Sequence, residues 1–241
     1  MFEAGERVLL VGGERTFFVR AGTGSFSTDR GVLDLDALLQ VSQGDVITTH
    51  TGQEFRALSP RPTDFFSRAS RSGAPMLPKD IGLVIAYTGM NNRDTVLDAG
   101  TGSGIAAIYF GGIAKAVRTC EIRPEFSRLA EKNIQDAKLP NVDVVCGDVL
   151  SEEGLYDVVH FDLTLTPDHV HHAHSLLRPG GYLACYTPFI EHLFTVMDAA
   201  GELFTEIQAH ECIEREMTRS QRGSRPSTRV CHSGYVTVAR K

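Results

Sequence analysis

Four acidic residues and one run of alternating glycines carry the chemistry that this sequence could perform. Asp98 opens the run Asp98-Ala99-Gly100-Thr101-Gly102-Ser103-Gly104, in which glycine recurs at every second position. Without a Cβ, such residues let main-chain N–H groups come close to a ligand. A dinucleotide loop would need its third glycine three residues after the second, and Ile105 stands there, so a pyrophosphate is the weaker match. An acid ahead of the turn suits a cofactor with no phosphate. S-adenosylmethionine fits, because its cationic methionine end and ribose hydroxyls favour carboxylates. Two further acids stand where that ligand needs them: Glu121, for the ribose hydroxyls, and Asp148, after Gly147, for the adenine amino group. Asp162 is the fourth. It follows another apolar run and sits beside the place where the methyl group would project, which makes it the candidate substrate-facing group. Each acid taken alone could be a helix cap or a turn residue; their order and spacing with the loop favour the cofactor reading.

These residues need particular elements to position them. Val96 and Leu97 continue an apolar run that Asp98 ends, and a helix starts at Ile105, giving strand, loop and helix. From Thr95 onward strands and helices alternate. Helices are expected over Pro124 to Ala137, Asp168 to Leu177 and Phe189 to Ala200, and strands over Asp157 to Phe161 and Tyr182 to Tyr186, with Pro179-Gly180-Gly181 as a stop. Two late runs, Thr205 to Glu214 and Ser233 to Ala239, read as closing antiparallel strands. The expected class is α/β, a doubly wound, Rossmann-like class I methyltransferase sheet. Ahead of it, residues 1–58 hold short β-type runs between glycine turns and read as a small β-module. Residues 59–78, with prolines at 60, 62, 75 and 78 around a short helix from Thr63 to Ser70, read as a connector carrying Arg68 and Arg71, and residues 79–241 as the methyltransferase domain, opening on a helix from Lys79 to Met90.

The 241 residues are 42% hydrophobic and 22% charged, an ordinary globular balance. No apolar run approaches a membrane span and no export signal is evident, so the cytoplasm is expected. Five scattered cysteines without C-x-x-C spacing argue against a disulfide framework or structural zinc. His169, His171, His172 and His174 invite a metal reading, but they lack a carboxylate at ligand spacing beyond Asp168, and an exposed helix face is preferred. No metal is expected. The net charge of −6 hides a basic stretch from Arg215 to Lys241, with Arg219, Arg222, Arg225, Arg229 and Arg240 between them against one acid, Glu216. Such a stretch attracts phosphates, or is a solvated loop.

Taken together, the motifs resemble one family, the TrmI-type tRNA (adenine-N1)-methyltransferases, especially their archaeal branch. The resemblance rests on GQEFRAL at 52–58, PKD at 78–80, DAGTGSG at 98–104, EIRPEF at 121–126, GD at 147–148, FDL at 161–163, LRPGG at 177–181, YTPFIEH at 186–192 and HSGYVTVAR at 232–240. It implies methyl transfer from S-adenosylmethionine to N1 of an adenine in the tRNA T-loop, at position 58 and in archaeal members often also at 57. It implies that Asp162 is the catalytic carboxylate and also touches the cofactor. Asp98, Gly100, Thr101, Gly102, Ser103, Gly104, Glu121, Gly147 and Asp148 are the implied cofactor contacts, and Met76, Leu77, Lys79, Pro188 and His232 the substrate contacts. The family's usual assembly is a homotetramer, a dimer of dimers, in which several subunits hold the tRNA.

The chain departs from the family pattern in two places. Asp162-Leu163-Thr164-Leu165-Thr166 loses both prolines of D-L-P-x-P, which is expected to loosen the target pocket, and Leu77 replaces an aromatic or histidine before PKD. Three other readings stay open: a small-molecule methyltransferase of precorrin type, a protein methyltransferase of isoaspartyl type, and a non-catalytic tRNA-binding subunit. Retention of Gly100, Gly102, Gly104, Glu121, Asp148 and Asp162 argues against the last.

Overall fold

Short alternating β runs and glycine turns at the N-terminus give way, after residue 70, to longer apolar strands that only a sheet covered on both faces can bury. The computed structural model describes residues 1–71, 73–221, 223–227 and 231–241. The chain divides into two units, residues 1–70 with 135–138, and residues 71–134 with 139–241. The boundary falls inside the segment 59–78 that the sequence marks as a connector.

In the first unit, β1 (Arg7–Gly12), β2 (Arg15–Arg20), β5 (Val46–Thr48) and β6 (Glu54–Leu58) form an antiparallel sheet in the order β2-β1-β6-β5. A separate hairpin joins β3 (Ser25–Thr28) and β4 (Gly31–Asp34), and α1 (Pro62–Arg68) closes the unit's run of elements. Val8, Leu10, Leu33, Leu38, Phe55 and Ala57 make its core.

The second unit opens with α2 (Pro78–Thr88), followed by β7 (Thr95–Ala99), α3 (Ile105–Gly111), β8 (Ala116–Glu121), α4 (Pro124–Asp136), β9 (Val142–Cys146) and β10 (Tyr156–Phe161). Then come α5 (Pro167–Leu176), β11 (Leu177–Thr187), α6 (Ile190–Gly201), β12 (Glu206–Glu211), a hairpin of β13 (Met217–Ser220) and β14 (Gly223–Pro226), and β15 (Tyr235–Arg240). The sheet order is β12-β15-β11-β10-β7-β8-β9. Chain order turns back beside β7, which leaves the crevice at the carboxyl ends of β7 and β10 as the place for a ligand. Leu97, Ala99, Val159, Phe161, Leu183 and Cys185 point to one face and join Val170, Ala173 and Val196 of α5 and α6 in the core. On the other face Phe110 of α3 meets His160 edge to face.

Three expectations change. Of the two late strands only β15 is reversed, since it pairs antiparallel with both β11 and β12, and β12 therefore runs with the rest. Pro179-Gly180-Gly181 does not end an element. The β10–β11 register steps from Tyr156↔Leu177 to Val158↔Tyr182, so residues 178–181 bulge out of a strand that continues on both sides. Asp98 does not end β7, which runs on to Ala99.

Candidate active site

The site grows from the pairing of two strands. Ala99 and Phe161, the last residues of β7 and β10, are partners in the parallel ladder, and the N–H of Asp162 donates to the Ala99 carbonyl at 2.9 Å. The chain leaving β7 then turns sharply at Gly100, whose φ is +85°. A Cβ on Gly100 would lie 1.9 Å from the Asp162 carbonyl oxygen, so only glycine lets the loop pass. The loop is tied to β8 as well. Gly100 and Thr101 donate to the Cys120 carbonyl at 3.0 and 3.4 Å, and the Gly102 N–H donates to Glu121 Oε2 at 2.9 Å.

Under the loop lies a buried polar chain. Asp98 accepts from Thr119 Oγ1 at 2.5 Å, Thr119 meets Thr101 Oγ1 at 2.5 Å, and the other Asp98 oxygen pairs with His160 Nδ1 at 2.6 Å. Asp98, expected as a cofactor contact, is the centre of this chain. With both oxygens taken and only 2% of its surface exposed, it positions the loop and lines neither of the cavities described next. His160 and Thr119 were missed in the sequence because each looks like an ordinary strand residue.

Two cavities adjoin, with Gly100, Arg123 and Asp162 on the wall of each. One, of about 240 Å³, is lined by Met76, Thr101, Gly102, Ser103 and Phe126 among others. The other, of about 420 Å³, is lined by Glu121, Ile122, Gly147, Asp148, Val149 and His169. Gly104 lines neither; it caps α3. Glu121 Oε1 takes the Arg123 Nε at 2.8 Å and its main-chain N–H at 3.1 Å. Burial pushes the Glu121 pKa up, but the bonds from Arg123 and Gly102 outweigh it and leave the carboxyl below the usual range. Arg123 stacks over Phe126 with its guanidinium 4.0 Å from the ring centre. Asp148 is exposed and does act as a cap, with Oδ1 accepting from the Leu150 N–H at 2.9 Å, while Oδ2 has no partner among the described residues.

Asp162 is different from the other acids. Its carboxylate has no hydrogen-bond partner among the described residues, and burial raises its pKa to about 6, with Asp98 adding to the rise and His160 opposing it. A half-buried acid without a protein partner, on the wall of a cavity, is held ready for a ligand.

The expected substrate contacts separate. Met76 is buried on the wall of the smaller cavity, while Leu77 is the N-cap of α2 and lines neither cavity. Lys79 spends two of its three N–H donors inside the fold, as its Nζ donates to Asp80 at 2.7 Å and to Ser233 at 2.5 Å. His232 spans Glu211 at 2.7 Å and the Pro188 carbonyl at 2.8 Å, and the bond to Glu211 raises its pKa. Neither Pro188 nor His232 reaches the cavities. The four histidines of α5 do not share an exposed face: His169 lines the larger cavity, His172 has a buried Nε2 without a partner, and His174 packs on Phe204. No group that could hold a metal occurs among the described residues, and none of their helices is long and apolar enough to cross a membrane. In the basic stretch, Arg215, Arg219 and Arg225 are exposed on and beside the β13–β14 hairpin, and Arg222 and Arg229 lie outside the described residues. Lys241 instead caps α5 through the carbonyls of His174 and Leu177.

A family model described as a methyltransferase domain matches residues 96–181, the span from the glycine loop to the Pro-Gly-Gly bulge. The chain is 32% identical to a Methanocaldococcus jannaschii protein named tRNA (adenine(57)-N(1)/adenine(58)-N(1))-methyltransferase TrmI, over 94% of this chain and 91% of that one. The chain belongs to the TrmI family of S-adenosylmethionine-dependent tRNA (adenine-N1)-methyltransferases. The fold agrees. A Thermotoga maritima structure described as a SAM-dependent O-methyltransferase superposes with a TM-score of 0.87 at 25% identity, covering all of this chain and 94% of that one. The Aquifex aeolicus structure of tRNA (m1A58) methyltransferase TrmI gives 0.81 at 23%, covering all of this chain and 98% of that one. The resemblance read from the motifs, the α/β class and the class I methyltransferase sheet are thus borne out. The site also suits the TrmI cofactor. Its cradle closes at Gly100, the one guanidinium among the described lining residues is bonded to Glu121, and its free carboxylate oxygens favour a sulfonium, an ammonium or a hydroxyl over a phosphate.

Proposed function

We propose that this protein methylates N1 of adenine in the tRNA T-loop, at position 58 and with position 57 as a second acceptor, as the name of the M. jannaschii relative specifies for that protein. The observation that carries the reading is the partnerless, half-buried carboxylate of Asp162 on the wall common to two cavities. In this reading the loop from Gly100 to Gly104 cradles the methionine end, Glu121 holds the ribose, and Gly147 and Asp148 hold the adenine of the cofactor. The bound cofactor would supply an electrophilic methyl group to the lone pair of N1, the electrons of the broken S–CH3 bond staying on sulfur as S-adenosylhomocysteine leaves.

N1 lies on the Watson–Crick edge, so the target adenine must leave its stack to reach Asp162. No strong base is needed, because N1 carries no proton at neutral pH. Asp162, ionised above about pH 6, accepts a hydrogen bond from the exocyclic amino group and fixes the ring. Alignment of this kind supplies roughly 7–11 kcal/mol in favourable cases. The same charge opposes the positive charge that arrives on the adenine ring during transfer. The homotetramer and a cytoplasmic location go with this reading. Exposed Phe189, Ile190 and Phe194 at the start of α6 are candidate contact residues for a second copy, which light scattering would test.

The deciding experiment transfers labelled methyl from S-adenosylmethionine to unmodified tRNA and identifies the modified nucleoside after digestion. N1-methyladenosine at T-loop positions is expected, and Asp162→Ala should keep cofactor binding and lose turnover. Label in another nucleoside would sink the acceptor assignment. Label absent from tRNA while cofactor still binds would favour a small-molecule acceptor.

A further inference from the structure

His169 stands at the start of α5, three residues after the N-cap Thr166, in the place where a capping box usually has Glu or Gln. The Thr166 N–H donates to His169 Nδ1 at 3.2 Å, and Thr166 Oγ1 lies 2.8 Å from the same atom. A protonated Nδ1 could not accept from that N–H, so the cap places the single ring proton on Nε2. Burial holds the imidazole below its usual pKa, against the opposing pull of Asp148 and Asp168, which keeps the ring neutral at pH 7. His169 lines the cavity of about 420 Å³, whereas Thr166, which occupies Nδ1, does not. Nε2 has no hydrogen-bond partner among the described residues. His169, with one N–H donor to offer, and Asp148, with a free Oδ2, therefore line one cavity together.

We propose that His169 is a specificity-determining residue of the cofactor pocket, donating from Nε2 to a ring nitrogen of the cofactor's adenine while Asp148 accepts from the N6 amino group. The proposal rests on the S-adenosylmethionine reading of that cavity. Adenine carries an amino donor flanked by two accepting ring nitrogens, N1 and N7, which matches one donor beside one acceptor. A purine with a carbonyl at position 6 would turn an oxygen toward Asp148 and is rejected.

The cap itself supplies the test. His169→Gln and His169→Glu both keep an oxygen that accepts from the Thr166 N–H, but only Gln also offers an N–H to the cavity. Calorimetric titration with S-adenosylhomocysteine should give Gln within about twofold of wild type and Glu about tenfold weaker, the usual effect of one hydrogen bond. Thermal melts of the two should coincide. Wild type should lose about tenfold on either the 1-deaza or the 7-deaza analogue of S-adenosylhomocysteine, and on that analogue the gap between Gln and Glu should close. Equal affinities for Gln and Glu, or a gap that persists on both analogues, would overturn the proposal while leaving the cofactor reading intact. Failure of wild type to bind S-adenosylhomocysteine would overturn both.

Discussion

Gly100→Ala tests whether the backbone contact at the centre of the site is as tight as its geometry requires. Two costs arise. Alanine at a φ of +85° carries about 1–2 kcal/mol of strain. The new Cβ also falls 1.9 Å from the Asp162 carbonyl, a main-chain atom that cannot rotate aside, and forced repacking of this kind costs about 1–3 kcal/mol. The total is about 2–5 kcal/mol. At roughly 2–4 °C per kcal/mol for a body of this size, the melting temperature should fall by roughly 4–20 °C. Gly180→Ala is the control, since its φ is +79° but nothing lies within 4 Å of its Cβ position. It should show the strain alone, a shift of a few degrees. Scanning calorimetry on both variants reads the difference, and titration with S-adenosylhomocysteine should show weaker binding only for Gly100→Ala. If the two variants melt together and bind the cofactor product equally, the contact does not constrain the loop and the reasoning fails.

Other consequences can be measured directly. For Asp162, kcat/KM of wild type should fall as pH drops below about 6, and Asp162→Asn should lose most activity and that pH limb together. Its carboxyl binds a proton more tightly folded than unfolded, so ionising it between its ordinary value of 3.8 and about 6 costs stability. Asp162→Asn should therefore melt at or above wild type at pH 7.5, with the difference vanishing near pH 4; a lower melting temperature at pH 7.5 would contradict the burial of a lone charge. Glu121→Ala removes a charged acceptor of the Gly102 N–H and should weaken S-adenosylhomocysteine by roughly 10- to 100-fold; an unchanged Kd would remove Glu121 from the site. Lys79→Ala leaves the fully buried Asp80 with only the Ser233 hydroxyl and should cost about 3–5 kcal/mol in denaturant unfolding. Normal stability with weaker tRNA binding would instead make Lys79 a phosphate contact.

Much of the site was legible because its parts are local. The strand, glycine turn and helix around Gly100 follow from consecutive residues, and Glu121 ends its strand while Asp148 and Asp162 follow theirs by two positions and one, so periodicity alone delivers them to one edge of the sheet. What escaped depends on distant partners. Asp98 reads as a ligand until His160 and Thr119, on the two flanking strands, are seen to occupy it. Lys79 reads as a free cation until Ser233, 154 residues later, closes over it with Asp80. The prolines missing from the loop after Asp162 predict looseness, yet Thr166 in that loop forms a capping box with His169 that pins the start of α5. The reversed β15 and the bulge at 178–181 are matters of pairing, which no single stretch specifies.

The approach of Gly100 to Asp162 has a bearing on how the scaffold diversifies. The atom it meets is a main-chain oxygen, which every amino acid possesses. Residue 162 can therefore change identity without altering the surface that the loop packs against, whereas residue 100 is frozen. The acceptor chemistry and the donor cradle touch each other, yet they vary under separate rules, one by side chain and the other not at all. A new acceptor specificity is then reachable by point substitution at 162 and its surroundings, with the cradle inherited unchanged.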